Sequence, residues 1–228
     1  MSLGLPLLNP YLDKTASFNN GVNFAVASAT TLDPSFYLVR GIIVPPLPSL
    51  RPQLSWFKTY LTSFCSTPTA WRIAIYVPQH IPFAILVLEG ELIQLGASQV
   101  VVPGNFPLGC FPTFLAVARK NSSTTYDDFG CVKSVNDLTS SENNNLQGAL
   151  NSLRNEFPDT VILYADYYNA FLSLLRQATT FGFDTEKLFI PCCGDDGVYN
   201  VLLPTFCGGL GVPVCPNPNV RIHWMAYI

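Results

Sequence analysis

The residues that could carry hydrolytic chemistry in this sequence are few. Only two histidines are present, His80 and His223, and a Ser-His-Asp hydrolase needs such a base, held by a carboxylate, to take the proton of its serine. His80 lies between two prolines, and His223 lies beside Trp224 near the end of the sequence. An ordinary structural or surface histidine is the alternative in both cases. Ser28 follows a segment predicted to be a strand, where a nucleophile could lie, but a small residue packed in a tight turn would show the same pattern.

Three aspartates are further candidates for a site. Asp166 follows a predicted strand and could orient a base or bind a hydroxyl group; the alternative is the N-cap of the next helix. Asp195 and Asp196 lie between glycines and could bind a cation, with a solvated turn as the alternative. The aromatic residues around Asp166 are expected to pack in the core rather than line a ligand site. They are Tyr164, Tyr167, Tyr168 and Phe171.

The seven cysteines favour disulfides over a metal site, because the sequence has only two histidines and no Cys-x-x-Cys pair. Disulfides indicate an oxidising compartment. The sequon Asn121-Ser122-Ser123, in a polar segment, predicts N-glycosylation of Asn121. The pairing of the cysteines cannot be deduced from their spacing. Cys110 and Cys131 are the favoured pair because both flank the loop system after the central strand.

Composition excludes several classes of function. Charged residues make up 12% of the chain and the net charge is −3, so no basic face is available for nucleic acid. The most apolar region, Ile73–Leu88, is interrupted by two prolines and falls short of the roughly 20 residues that a membrane span requires. The first residues lack a basic opening and include Pro6 and Pro10. No signal peptide is therefore predicted in them.

Alternating helix and strand patterns predict a three-layer α/β sandwich with a parallel sheet, built by a single domain over residues 1–228. Its central strand is the apolar, β-branched segment Ala97–Val102, and the loop Pro103–Cys110 follows. Loops in this position bind ligands in open α/β sheets; a rigid connection is the alternative. The stretch Thr67–Pro82 fits neither helix nor strand. The other predicted strands are Val22–Ala27 and Thr160–Ala165, and the predicted helices are Ser49–Phe64, Phe83–Leu95, Val135–Phe157 and Ala170–Ala178.

Segments along most of the chain resemble one known family. They include GLPLLNPYL, GVNFAVASATTLD, LGASQVVVPGNFPLGC, YDDFGCVKSVNDL, VILYADYYNAF and CCGDDGVYN. In this order they are similar to the plant GDSL-type esterases and lipases, a branch of the SGNH hydrolases. The resemblance implies a flavodoxin-like α/β/α fold, secretion and frequent glycosylation. It also implies that the partner is a small-molecule carboxylic ester of a lipid, an acetylated sugar or a plant metabolite, hydrolysed without a metal or cofactor.

The sequence departs from the family in the first two of the four blocks that carry the reaction. The Gly-Asp-Ser block, which holds the nucleophilic serine, is absent. In the second block, Ser28 stands where the family has a glycine whose backbone N–H helps to form the oxyanion hole. Ser28 could still donate this hydrogen bond if its backbone adopts the conformation of the glycine.

The other two blocks are altered as well. The Gly-x-Asn-Asp block, whose asparagine donates to the oxyanion, is expected between Pro68 and Leu86 and is absent; Asn105 belongs to a different family segment. In the fourth block, Trp-Asp-Gly-x-His, the residues after Trp224 are Met-Ala-Tyr-Ile, so the aspartate and the histidine are both replaced. His223 precedes the tryptophan, so the role of the base does not transfer to it.

These departures lead to three hypotheses. The chain is a truncated or alternatively spliced form of an esterase, incomplete at both ends and inactive alone; or it is a non-catalytic member that binds a ligand or a protein; or it is a non-functional fragment. Missing strands, including the one that ends in Gly-x-Asn-Asp, would expose sheet edges and apolar helix faces. The isolated chain is therefore predicted to be poorly soluble.

Overall fold

The computed structural model of the chain describes residues 8–26, 32–39, 47–64, 74–76, 90–194, 198–199 and 211–223. These residues belong to two compact units. The first unit comprises Met1–Val102 and Gly148–Tyr164, and the second comprises Pro103–Gln147 and Ala165–Ile228. The single-domain organisation stays a prediction.

Three parallel strands form the main sheet, in the order β3 (Ala74–Tyr76), β4 (Gln99–Pro103), β5 (Val161–Ala165). Tyr76 of β3 lies beside Val101 of β4 in a parallel register. Two further bonds show that β5 also runs parallel to β4: the N–H of Val161 donates to the carbonyl of Ser98 at 2.9 Å, and the N–H of Gly104 donates to the carbonyl of Ala165 at 2.9 Å. The predicted α/β class with a parallel sheet is confirmed.

The sequence analysis assigned Thr67–Pro82 to neither helix nor strand, so strand β3 within this stretch is a correction. A segment of three residues between prolines is too short to show a period of its own. Its extended conformation depends instead on the main-chain hydrogen bonds that β4 offers. The predicted strand Val22–Ala27 is also shorter in the structure: β2 is Val22–Asn23 and pairs in parallel with β1 (Asn9–Pro10).

The helices follow the apolar periodicity of the sequence. They are α1 (Pro34–Leu38), α2 (Leu50–Phe64), α3 (Pro112–Ala118), α4 (Lys133–Glu156) and α5 (Tyr167–Arg176), and residues 90–94 are also helical. Helix α5 begins three residues before its predicted start, because Asp166 caps it: the carboxylate accepts a hydrogen bond from the N–H of Asn169 at 3.0 Å. No helix in the described ranges combines the length and apolar character that crossing a membrane requires.

Helix α2 supplies the core of the first unit. Its apolar stripe at spacings of three and four residues is buried, as predicted, and comprises Leu50, Leu54, Phe57 and Leu61. Phe24, which follows β2, packs its ring edge-on against Phe57, with 5.6 Å between ring centroids. The ring of Tyr11 lies 6.1 Å from that of Trp56. Aromatic packing therefore holds the β1–β2 pair against α2.

Strand β5 presents one buried and one exposed face. Ile162 is 4% exposed, whereas its neighbours Val161 and Leu163 are 48% and 54% exposed. In β4, Val100 and Val102 are both fully buried. Parallel sheets normally have both faces covered, so two large apolar side chains in water on an outer strand favour association between chains.

We expect the double substitution Val161→Thr/Leu163→Thr to increase the soluble fraction of the 228-residue chain, because threonine keeps the strand propensity of a β-branched residue and adds a hydroxyl group for water. The measurement is the soluble fraction and the light scattering as a function of concentration. The matched control is Ile162→Thr, which places the same hydroxyl group on the buried face and should lower solubility. Equal solubility of the double variant and the parent chain would contradict this expectation.

Candidate functional site

The loop Pro103–Cys110, at the carboxyl end of β4, is held by a side chain from α4. Asn143 accepts a hydrogen bond from the N–H of Asn105 at 2.7 Å and donates to the carbonyl of Asn105 at 3.0 Å. Both asparagines are about 95% buried. A side-chain amide thus gives Asn105 the donor and acceptor pairing that a neighbouring strand would give.

Asn105 makes one more contact, with the residue before Asn143. Its Nδ2 donates to a carboxylate oxygen of Glu142 at 3.3 Å. Partial burial raises the pKa of Glu142 above its ordinary value. The family segment around Asn105 is therefore anchored to α4 through both its backbone and its side chain.

A second asparagine of α4, seven residues earlier, fixes the other end of the loop. The side-chain oxygen of Asn136 accepts a hydrogen bond from the N–H of Gly109 at 2.8 Å, and its Nδ2 donates to the carboxylate of Asp127 at 3.0 Å. The other oxygen of Asp127 accepts from the N–H of Cys131 at 2.9 Å. Asn136 and Asn143 share one face of α4 because seven residues make about two turns. We call this pair the asparagine ladder.

Disulfides close the second unit around this loop. Cys110 is bonded to Cys131, the pair that the sequence analysis favoured, and both residues are fully buried. Cys192 is bonded to Cys215, and Cys193 is disulfide-bonded as well. The sequence separation of 21 between Cys110 and Cys131 corresponds to about 3 kcal/mol of stabilisation in the chain-entropy treatment of such loops.

Two aromatic side chains lie at the carboxyl ends of neighbouring strands. Phe106 belongs to the loop after β4, and Tyr167 begins the helix after β5; their ring centroids are 5.0 Å apart. Both side chains are half-buried. Phe106 also packs against Phe111 and Phe171, at 6.0 and 5.9 Å. This aromatic pair lies at the edge of the sheet where open α/β folds bind ligands.

His223 is part of the same aromatic cluster and is 2% exposed. Its ring lies 5.5 Å from Phe111 and 5.7 Å from Phe171. Its Nε2 is buried and has no hydrogen-bond partner in the described part of the chain. Burial lowers the pKa of His223 to about 4, so the ring is neutral at pH 7. Among the described residues, neither a serine hydroxyl group nor a carboxylate is hydrogen-bonded to this nitrogen.

Of the other candidate residues from the sequence, Asp166 lies in the described part of the chain. Asp166 is an exposed helix cap, and its second carboxylate oxygen accepts from the Nδ2 of Asn169 at 2.7 Å. Ser28, His80 and the pair Asp195–Asp196 lie outside the described residues. Within the described ranges, no three His, Cys, Asp or Glu side chains converge where a metal ion could bind.

The asparagine ladder is the feature that sequence reasoning missed. Polar residues in an amphipathic helix are ordinarily assigned to the solvent face. A signal was nevertheless present: counting back from Leu150 and Leu146 in steps of three, four and seven residues reaches Asn143, Thr139 and Asn136, so these polar residues continue the apolar stripe. Their side chains had to be buried and hydrogen-bonded for the stripe to remain in the core.

Gly109 should tolerate no side chain. A Cβ atom there would meet the carbonyl oxygen of Val132 and would lie 2.7 Å from the side-chain oxygen of Asn136. We expect Gly109→Ala to lower the free energy of unfolding by about 1–3 kcal/mol, as overpacking does. Gly148→Ala is the matched control, since this helical glycine has open space around it and alanine should add up to about 1 kcal/mol. Urea unfolding measures the free energy of unfolding of both variants. An unchanged free energy of unfolding in Gly109→Ala would contradict this description of the loop.

The stability of the chain should depend on pH through His223. Its pKa is lowered from 6.5 to about 4 in the folded chain, so the unfolded chain binds more protons between these two pH values. Stability should be fully present above pH 6.5 and fall by about 3 kcal/mol as the pH approaches 4. In His223→Phe this pH-dependent part of the free energy of unfolding should disappear, whereas His80→Gln should retain it. Urea unfolding across this pH range tests the prediction, and an unchanged slope in His223→Phe would contradict it.

Comparison with known proteins adds the family. The profile described as GDSL-like Lipase/Acylhydrolase matches residues 2–205. The chain is 44% identical to acetylajmalan esterase 2 of Rauvolfia serpentina, with 97% of this chain and 68% of the relative covered. It is 43% identical to acetylajmalan esterase of the same plant (98% and 65% covered) and 38% identical to a GDSL esterase/lipase of Arabidopsis thaliana (89% and 71% covered). The chain spans about two thirds of the length of these relatives.

The length of the match also shows that the relative has residues with no counterpart in this chain. The comparison with acetylajmalan esterase 2 runs over 253 residues, whereas 97% of the 228-residue chain is about 221 residues, so about 30 positions of the match have no residue in this chain. The family confirms the α/β fold class, and it consists of carboxylic ester hydrolases. With the family profile matching nearly the whole chain and plant relatives at 38–44% identity, the chain belongs to the GDSL-like lipases and acylhydrolases.

Proposed function

We propose that this chain is a member of an ester-hydrolase family that, in these 228 residues, does not catalyse ester hydrolysis by itself. The main observation that supports this proposal is in the sequence, which keeps the family segments in order but contains none of Gly-Asp-Ser, Gly-x-Asn-Asp and Asp-Gly-x-His. Nucleophile, oxyanion donor, orienting acid and base act as a unit in such enzymes. Losing all of them leaves at most binding and residual electrostatic effects.

The surroundings of His223 support this proposal. A general base must lie within hydrogen-bonding distance of the proton that it removes. The Nε2 of His223 is enclosed by Phe111 and Phe171 and has no partner among the described residues. Its lowered pKa makes the ring a poor proton acceptor at neutral pH. The histidine serves as a packing residue of the second unit.

The substrate class of the complete family reaction is a carboxylic ester of a small molecule. Two of the relatives are named acetylajmalan esterases, which supports an acetyl ester of a plant metabolite as the substrate of a complete form. Lipid esters and acetylated sugars remain within the range that the family implies.

A second candidate function is binding without catalysis. The observation that favours it is the aromatic pair Phe106–Tyr167, half-buried at the carboxyl ends of β4 and β5, with rings 5.0 Å apart. Such a pair, with its rings tilted by 44° to each other, offers an apolar surface that does not depend on the catalytic blocks. A binder would keep the loop Pro103–Cys110 rigid, as the asparagine ladder does.

We further propose that the protein is exported and N-glycosylated. Two disulfides in the second unit, Cys110–Cys131 and Cys192–Cys215, support folding in an oxidising compartment. Asn121 is exposed and is the sole asparagine in an Asn-x-Ser/Thr sequon of the 228-residue sequence. An exposed sequon in an exported chain is the substrate of N-glycosylation.

Ester hydrolysis by the purified 228-residue chain tests the proposed inactivity. The substrates are p-nitrophenyl acetate and butyrate, a serine-directed phosphonate is the covalent probe, and acetylajmalan esterase 2 is the active comparison. Mass-spectrometric detection of the Cys110–Cys131 bridge shows that the chain has folded. We expect neither turnover nor labelling in the folded chain. Turnover that Ser28→Ala abolishes would overturn the proposal and identify Ser28 as the nucleophile.

The binding alternative has its own measurement. Isothermal titration with phenyl acetate as the probe should show heat with the parent chain and none with Phe106→Ala/Tyr167→Ala if the aromatic pair binds ligands. Leu138→Ala is the control, since this apolar residue of α4 is 62% exposed. Absence of binding to the folded parent chain would leave the pair as a packing feature only.

A further inference from the structure

Helix α3 carries an apolar stripe on its exposed face. Phe114 and Val117 are 38% and 66% exposed, while Leu115, between them in sequence, is fully buried on the opposite side. Residues three apart in a helix are neighbours on one face. The two side chains therefore form one continuous apolar surface, which we call the α3 stripe.

The glycosylation sequon follows the α3 stripe closely in sequence. Turn hydrogen bonds continue beyond the end of α3: the N–H of Lys120 donates to the carbonyl of Val117 at 3.2 Å, and the N–H of Asn121 donates to the carbonyl of Ala118 at 2.9 Å. These bonds keep the chain compact after the helix, so Asn121 stays near its carboxyl end, four residues after Val117.

The local geometry leaves the reactive atom of Asn121 accessible. Its side-chain oxygen accepts a hydrogen bond from the N–H of Ser123 at 3.0 Å, and its Nδ2 donates to no group in the described part of the chain. Ser122 and Ser123 are exposed as well. The turn itself is fixed by Thr124, whose hydroxyl group donates to the carbonyl of Ala118 at 3.0 Å. The side chain of Asn121 is therefore presented to solvent in a turn whose next two residues are also exposed.

We propose that a glycan on Asn121 covers the α3 stripe and prevents self-association through it; this inference rests on the glycosylation proposed above. In the modification, Nδ2 loses one proton and bonds to C1 of the sugar, and the bond from C1 to the phosphate of a lipid-pyrophosphate donor breaks. The first sugars are attached within one helical turn of Val117. Their C–H faces cover the apolar side chains, and their hydroxyl groups face water.

Expression of the 228-residue chain behind a cleavable secretory signal, in a eukaryotic secretory cell, tests this inference. Glycan occupancy is read from the shift in electrophoretic mobility on treatment with peptide-N-glycosidase. Association is read from sedimentation velocity, and exposed apolar surface from the fluorescence of an apolar dye. Enzymatic removal of the glycan from the folded chain avoids any dependence on the folding of a variant. Asn121→Gln is the genetic counterpart.

We expect the glycosylated chain to show less association than the deglycosylated chain, with a severalfold rise in dye fluorescence on removal of the glycan. Phe114→Gln/Val117→Gln should suppress this rise, whereas Leu138→Gln, which removes an exposed leucine of α4, should not. A translocated chain without a glycan would overturn the proposed glycosylation and this inference with it. An occupied site whose deglycosylation changes neither association nor fluorescence, or whose effect persists in the double variant, would overturn the covering role alone.

Discussion

The second unit depends on how a buried loop obtains its hydrogen bonds. The backbone of Asn105 is removed from water and pairs with no strand of the described residues, so its N–H and carbonyl groups need partners from elsewhere. Asn143 supplies both partners from one side-chain amide. For Gly109, Asn136 accepts the hydrogen bond of the N–H, and the N–H of Val132 donates to the carbonyl. Leaving a buried group of this kind unpaired costs about 1–3 kcal/mol. The ladder therefore fixes the course of the loop more strongly than the prolines and glycines of its sequence would alone.

Much of this structure follows from the sequence by simple physical rules. The strands β4 and β5 follow from continuous apolar, β-branched segments, and α2 follows from leucines and Phe57 that recur at helical spacing. Burial was predicted for both strands, but β5 is covered on one face only and exposes Val161 and Leu163. Asp166 was recognised as a cap candidate from its type and place, although the start of α5 was predicted three residues too late. In each case the signal is local, so a window of a few residues contains it.

The remainder could not be predicted because its cause is not local. The three residues of β3 are extended because they pair with β4, and the adjacent residues in sequence carry no pattern that predicts this strand. The burial of His223 depends on Phe111 and Phe171, which lie more than 50 residues away in sequence. The polar side chains of Asn136 and Asn143 would ordinarily place them on the surface. Both are buried because they hydrogen-bond the backbone of the loop Pro103–Cys110, which is distant in sequence. The four catalytic blocks expected from the family resemblance are altered or absent in the sequence, so their residues could not be assigned to a site.

The scaffold and the chemistry of this family are carried by different parts of the chain. The asparagine ladder, the disulfides and the aromatic cluster involve none of the residues that stand in the altered catalytic blocks. A chain can therefore retain clear family sequence while its reactive groups are gone. In such a family, similarity over most of the sequence indicates that the scaffold and its loops are the same. Only the short catalytic blocks indicate whether a member can carry out the reaction.

The Cys110–Cys131 bridge also has a consequence for the order of events during synthesis. Asn121 lies between the two cysteines in sequence, so a growing chain delivers Cys110 first, then the sequon, and Cys131 last. Until the second thiol has emerged the ring cannot close, and the segment around Asn121 remains an open strand of polypeptide. In a chain that is glycosylated as proposed, oxidation and sugar transfer would act on the same short segment, and the order in which its residues emerge would give sugar transfer the earlier opportunity.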